Sequence, residues 1–238
     1  MAARAALRPP GSAATYADAV TSPAFRAVQL DDIDPVPVLD GQLLWRPLRA
    51  TLGVRAFGVN AYTARAAGDL VVEEHDERGT GSGHHEELYV VVAGHARFTI
   101  GGEEVDAPAG ACVFLPDPAV TRAAVAVEPA TTVLAIGATV GEPYRVSAWE
   151  YFFRAAPHAA AGDWDGAAAV TAEGLPDHAD NAALLYNLAC FEARAGRLDD
   201  AMGHLRAAAA ADPEHVTQWA AEDRDLDALR DREGFPAP

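Results

Sequence analysis

Two short segments of the chain carry histidine and glutamate side chains at spacings that suit a metal site. The first is EEHDE at 73–77 and the second is HHEELY at 84–89. Residues two apart in a β-strand point to the same face, so Glu73, His75 and Glu77 would point together, and His85, Glu87 and Tyr89 would do the same on the next strand. Two imidazoles with one or two carboxylates suit Fe(II), Mn(II), Ni(II) or Zn(II) and leave positions for water or substrate. The candidate metal ligands are His75, Glu77, His85 and Glu87.

Further polar residues of the predicted strands could complete a ligand pocket. Glu77 and Glu87 are the candidate catalytic residues, each as a ligand or a general base. Arg122 could act as a charge behind the ligands or as a clamp for a substrate carboxylate, because its planar fork matches that group. Asn60 lies in an apolar strand, where a buried polar side chain needs a partner. The candidate ligand-binding residues are Arg122, Tyr89, Asn60 and Tyr62.

The same residues also admit an interpretation without a metal. Strand ends often carry His and Glu simply because water reaches them. Three acids and one arginine can equally form a closed ion-pair network. Both interpretations remain open on the sequence alone.

The elements that would position these residues change type near residue 141. Before it, short β-rich runs such as VRAFGVNAYTA (54–64) and ELYVVVAG (87–94) alternate with Gly, Pro and Asp turn signals. Many short, closely spaced strands are typical of an antiparallel sandwich or barrel. After it, Ala, Leu and charged residues recur at helical spacing, as in LLYNLACFEARAG (184–196). We expect a β-domain followed by an α-helical domain.

Composition restricts the partners of the chain. Its 238 residues carry a formal charge of −17. Such a charge repels phosphate backbones and anionic lipid, so we expect neither a nucleic-acid nor a membrane partner.

The two cysteines form no metal or redox motif, and no apolar leader or membrane-spanning run is present, so we expect a cytoplasmic protein.

The helical part contains an internal repeat. Gly162 returns as Gly196, at the 34-residue spacing of the tetratricopeptide repeat. Residues 148–212 resemble two hairpins of that repeat family, closed by a capping segment at 215–235. The resemblance implies a concave surface for a protein partner. The alternative is a helical appendage that only packs on the β-domain or on a second subunit. The residues on the packing positions of the second copy are Leu185, Leu188, Ala189, Ala201, Leu205 and Ala208.

The β-part resembles a single cupin barrel. Glu87 and Gly94 reproduce the E-x6-G ending of the first cupin motif, and Gly110 and Pro116 reproduce the G-x5-P opening of the second. The resemblance implies a jelly-roll-like antiparallel barrel, a metal inside it, and a homodimer formed through barrel edge strands. The chain departs from the family pattern at the metal ligands. No His occurs at 80–83, and Thr121 stands at the second-motif His position, with Arg122 beside it.

The predicted organisation has four parts. They are a loosely ordered lead-in (1–27), a cupin barrel (28–140), a linker (141–147) and a tetratricopeptide-like helical domain (148–238). We expect the barrel to bind a small polar or carboxylate-bearing molecule, with a divalent metal and oxygenase, isomerase or lyase chemistry. The alternatives are a metal-free ligand sensor and a protein-interaction module that acts through the helical tail.

Overall fold

The computed structural model describes residues 20–21, 26–78 and 83–236. Most of the predicted lead-in and of the GTGSG segment at 79–83 therefore lies outside the described residues. The chain divides into two compact units, of which the first ends at Arg145 and the second begins at Val146.

The first unit consists mainly of antiparallel strands. β1 pairs with β2, six strands form a sheet in the order β10-β7-β12-β5-β4-β3, and four form a second sheet in the order β6-β11-β8-β9. The bounds are β1 (Val20–Thr21), β2 (Arg26–Ala27), β3 (Val36–Val38), β4 (Leu43–Arg46), β5 (Gly58–Ala64), β6 (Leu70–His75), β7 (Glu86–Ala93), β8 (His95–Ile100), β9 (Glu103–Pro108), β10 (Cys112–Leu115), β11 (Arg122–Ala126) and β12 (Thr132–Ala138).

One apolar core lies between the two larger sheets. Tyr89 and Val133 of the six-stranded sheet pack in the same cluster as Val71 and Phe98 of the four-stranded sheet, and all four are buried. The alternation along β7 explains this arrangement, because its odd-numbered residues from Glu87 to Val91 are buried while Val92 is exposed. The predicted β-unit of antiparallel sheets is confirmed.

Gly94 ends β7 where no other residue would fit. Its φ is 73°, a left-handed conformation that favours glycine. A Cβ atom at this position would lie 2.5 Å from Oγ1 of Thr131 and 2.7 Å from its Cα. The glycine of the E-x6-G pattern therefore has a local steric reason in this chain.

One predicted strand ends earlier than its sequence suggested. The β-rich run LLWRPL at 43–48 predicts a strand as far as residue 48, but β4 stops at Arg46 and a short helix, α1 (Leu48–Leu52), follows. Pro47 explains the difference, because it has no N–H for a sheet ladder and its fixed φ suits the start of a helix.

The second unit is helical. Its helices are α2 (Ala148–Ala160), α3 (Trp164–Ala172), α4 (Ala182–Arg194), α5 (Leu198–Ala211) and α6 (Pro213–Glu222), followed by a 3-10 segment at Arg224–Leu229. Ala189, Leu205 and Leu229 are fully buried in its core. Among the described residues, no helix combines the length and the apolar character needed to cross a membrane. The helical character of this part is confirmed, and the tetratricopeptide assignment stays a prediction.

Candidate metal centre

His75 ends β6 with its ring held in one orientation. Its Nδ1 lies 2.8 Å from the backbone carbonyl oxygen of Glu73. A carbonyl can only accept a hydrogen bond, so Nδ1 carries a proton, and when the ring is neutral Nε2 has the lone pair. Burial lowers the pKa of His75, but the contacts with Glu87 and with the Glu73 carbonyl outweigh burial and raise it. Histidines that bind metals are commonly oriented by such a hydrogen bond from the other ring nitrogen.

The free nitrogen of His75 faces two carboxylates. Nε2 lies 3.6 Å from Oε1 of Glu77 and 3.7 Å from Oε2 of Glu87. One ligand atom from each of the three residues lies within 4.8 Å of the others. His75 and Glu77 come from the end of β6 and the turn that follows it, and Glu87 comes from β7 of the other sheet.

The separations of these atoms are longer than hydrogen bonds and suit both ion pairs and the ligands of a shared cation. An N–H···O hydrogen bond needs about 2.7–3.2 Å between nitrogen and oxygen, so 3.6 and 3.7 Å are too long. Ligands about 2.1 Å from a shared tetrahedral or octahedral ion lie roughly 3–3.6 Å apart, close to the observed distances. The three side chains thus offer one imidazole nitrogen and two carboxylates at separations compatible with a shared divalent cation.

Glu87 is held in place by two neighbours. The hydroxyl of Tyr89 donates to its Oε2 at 2.5 Å, and Nε of Arg122 lies 3.2 Å from the same oxygen. Burial alone would raise the pKa of Glu87, but the contacts with His75, Tyr89 and Arg122 outweigh burial and lower it. Glu87 is therefore kept as a carboxylate.

The pKa of Glu77 is shifted in the opposite direction to that of Glu87. Burial first, and then the negative charge of Glu87, raise the pKa of Glu77. Its Oε2 accepts a hydrogen bond from the backbone N–H of Gly83 at 3.1 Å, which fixes the carboxylate. Two neighbouring carboxyl groups with opposite pKa shifts are a common arrangement where one group stays ionised and the other exchanges a proton.

His85 lies beside this group without joining it. Its Nδ1 is 3.7 Å from Oε2 of Glu77, but His85 is not among the residues whose ligand atoms all lie within 4.8 Å of one another. Burial lowers the pKa of His85 and favours its neutral form. The ring packs against Gly83, where a Cβ atom would lie 1.9 Å from Nε2. Of the four sequence-predicted ligands, the structure brings three together and places the fourth next to Glu77.

Arg122 points inward at the start of β11. Thr121, at the position of the second-motif His, is exposed, whereas the Arg122 side chain is 0% exposed. None of its three guanidinium nitrogens has a directed hydrogen bond in the described part of the chain. The 3.2 Å approach to Glu87 is therefore an ion pair whose angle does not suit a hydrogen bond. A buried cation with so few partners is costly unless nearby negative charge compensates it.

The remaining predicted pocket residues, Asn60 and Tyr62, lie on β5 of the six-stranded sheet. Asn60, Ala135 and Tyr89 occupy one row across the six-stranded sheet. Asn60 is buried and its Oδ1 has no hydrogen-bond partner among the described residues. Tyr62 is half-buried against the apolar core. The structure gives Tyr89 a direct contact with Glu87, one of the metal candidates.

Two contributors to the centre are backbone groups that sequence patterns did not indicate. The carbonyl of Glu73 orients His75, and the N–H of Gly83 holds Glu77. The side chain of Glu73, which strand parity grouped with His75, is exposed instead. In the sequence, only the glycine directly before His84 and His85 pointed to the contact between Gly83 and Glu77. A larger residue at position 83 would displace His85.

Comparison with known proteins gives neighbours in structure alone. No protein-family model and no curated protein matches the chain. KdgF from Halomonas sp. is 18% identical, with a TM-score of 0.33, over 45% of this chain and 83% of that one. A cupin-superfamily sugar phosphate isomerase from Silicibacter pomeroyi is 19% identical, with a TM-score of 0.39, over 48% and 76%.

A third similar structure has a different described activity. A predicted oxalate decarboxylase from Thermotoga maritima is 16% identical, with a TM-score of 0.39, over 48% of this chain and 99% of that one. These similar structures include cupin proteins, and each covers less than half of the chain.

Proposed function

We propose that the β-unit is a divalent-metal-dependent cupin domain that binds a small polar or carboxylate-bearing molecule. His75, Glu77 and Glu87 would hold the cation. The observation that supports this most directly is the pair of His75–carboxylate separations of 3.6 and 3.7 Å, which are too long for hydrogen bonds. The oriented Nδ1 of His75 supports it independently.

Glu87 and Glu77 would have different roles at such a centre. A bound divalent cation would supply Lewis-acid polarisation of a ligand oxygen. Glu87, held ionised by Tyr89 and Arg122, would serve as a permanent ligand. Glu77, fixed by the N–H of Gly83, would serve as the second carboxylate ligand or, when not bound to the cation, as the general base of an isomerase or lyase. An oxygenase activity would use the same ligands with a redox-active metal.

Metal content is the direct test. The full chain, purified without chelator, should contain close to one equivalent of iron, manganese, nickel or zinc by elemental analysis. Glu87→Gln should lose most of it, because the amide is a much poorer ligand than the carboxylate. His84→Asn is the matched control, since His84 is exposed and has a φ of 53°, which Asn tolerates. Metal absent from the wild type, or equal in Glu87→Gln and His84→Asn, would refute the proposal.

A metal-free ligand sensor is the second candidate, and one observation favours it. The guanidinium of Arg122 is buried with three nitrogens that lack hydrogen bonds in the described residues, so it could hold a ligand of negative charge after a side-chain rearrangement. This candidate predicts no stoichiometric metal and an anion affinity that survives chelation with EDTA.

A further inference from the structure

The charges around the metal candidates do not balance once a cation is present. Without a cation, Glu87 compensates Arg122 through their 3.2 Å contact. A divalent cation takes the two negative charges of Glu77 and Glu87 for itself. The positive charge of Arg122 then has no counter-charge among the three candidate ligands.

Burial makes this imbalance matter. Arg122 is 0% exposed, and Glu77 and Glu87 are 7% and 8% exposed. Bulk counter-ions cannot reach a guanidinium with no accessible surface, and charges interact more strongly in a protein interior than in water. An uncompensated positive charge would therefore favour an anion bound to the cation, beside His75, whose side chain is the most exposed of the three candidate ligands.

From these observations the geometry points to a monoanionic ligand, a carboxylate, as the molecule that binds beside the metal. This inference rests on the proposed metal centre and specifies its ligand class. Arg122 acts as a positioning residue, through its electric field and through its contact with Glu87. It is not a clamp, because its nitrogens offer no surface to a ligand in this structure. A neutral ligand of the same shape would leave the positive charge of Arg122 uncompensated.

The test uses Co(II) as a visible metal and acetate as the probe. Co(II) is first titrated into the full-length chelator-treated protein, and its absorption spectrum reports binding. Acetate is then added, with acetamide as the uncharged analogue. We expect acetate to change the Co(II) spectrum with saturation and acetamide to bind at least about tenfold more weakly.

Substitutions at Arg122 separate charge from geometry. Arg122→Gln should lower acetate affinity by about 10- to 100-fold at an effective protein dielectric, while Co(II) still binds. Arg122→Lys keeps the charge but loses the planar fork, and it should retain most of the acetate affinity. Arg97→Gln is the control, because it removes the same charge from an exposed position of the same sheet. It should leave acetate binding unchanged.

The outcomes distinguish this inference from the proposed function. If Co(II) does not bind, both the metal centre and the anion site are overturned. If Co(II) binds but acetate and acetamide act alike, only the monoanion inference is overturned. The role given to Arg122 would also be overturned if Arg122→Gln and Arg97→Gln changed the acetate affinity equally. The same holds if Arg122→Lys bound acetate no better than Arg122→Gln. The acetate and acetamide comparison on the wild-type chain decides the ligand class even if an Arg122 variant fails to fold.

Discussion

The Nε2 atom of His75 lies 3.7 Å from Oε2 of Glu87, although the two residues belong to strands of different sheets. Oε2 already accepts the hydroxyl of Tyr89 at 2.5 Å and lies 3.2 Å from Arg122. Tyr89 thus holds the carboxylate from its own strand, β7, whereas Arg122 and His75 approach it from two paired strands of the other sheet. The candidate centre is thus formed by side chains from both sheets.

Replacing His75 should remove the metal without unfolding the barrel. In His75→Gln the nitrogen that faces both carboxylates is lost, while the half-exposed position tolerates a polar side chain of similar length. We expect Co(II) affinity to fall by more than about tenfold, measured by absorption titration, with unchanged circular dichroism. An affinity equal to that of the exposed-site control His84→Asn would contradict the assignment of His75.

Removing the hydroxyl of Tyr89 should weaken the centre indirectly. Tyr89→Phe keeps the ring that packs 5.5 Å from Phe98 but loses the donor to Glu87. Residues that support a metal ligand typically change metal affinity about 10- to 100-fold, and we expect a loss in this range. Tyr186→Phe removes a hydroxyl bonded to Asp223 in the helical unit and should leave metal affinity as it is.

A methyl group at Gly83 should disturb the same centre from the backbone. The Cβ of Gly83→Ala would collide with the ring of His85, which must rotate away from Glu77. We expect a loss of about 1–3 kcal/mol in the free energy of unfolding, measured with urea. Gly203→Ala is the matched substitution, because nothing lies within 4 Å of its Cβ position in α5. It should stabilise the chain by up to about 1 kcal/mol through helix propensity, and a loss in both variants would contradict the steric explanation.

The two cysteines should differ in reactivity. Cys112 is exposed and Cys190 is buried, with its Sγ 3.5 Å from Oδ2 of Asp223. Burial, and then the carboxylate of Asp223, raise the pKa of the Cys190 thiol well above its usual value. The thiolate is the reactive form, so a disulfide reagent at about pH 8 should label one thiol in the native chain and two in guanidinium. Cys112→Ser should abolish the native reaction, and rapid labelling of that variant would show that Cys190 is accessible.

The N-terminus of α6 should lose stability in acid. Asp212 caps this helix, since its Oδ1 accepts from the N–H of His215 at 3.2 Å and its Oδ2 lies 2.8 Å from Nδ1 of the same residue. These contacts lower the pKa of Asp212, the backbone hydrogen bond most of all. A depressed carboxyl pKa stabilises the folded state above the unfolded value of about 3.9, and this stability is lost as pH falls through the lower folded value.

The variant Asp212→Asn, with an uncharged capping residue, tests whether stability falls as the pH is lowered. Asn is an equally good capping residue but has no charge to lose. The wild type should be the more stable of the two near about pH 6, and its advantage should shrink toward about pH 3, as measured by denaturant unfolding. An advantage that stays constant over this range would contradict an ionised Asp212 as its source.

Strand parity predicted the inward side of β7 correctly. Glu87 and Tyr89 share the buried face with Val91, as the alternation of side chains requires. The same rule failed for Glu73, which is exposed two residues before His75, because the pairing of β6 with β11 contains register irregularities near this end. The helical nature of the second part was also readable, since helical spacing is a property of the local sequence.

The sequence by itself determined which residue types stand at which strand positions, and hence that His75, Glu77 and Glu87 could serve as ligands. Only the tertiary structure decided that these three meet while His85 reaches Glu77 alone. It also decided that Arg122, and not Thr121, faces the interior and contacts Glu87. The physical reason is that alternation along a strand fixes a side chain's face, whereas the distance between strands of different sheets depends on how the whole core packs.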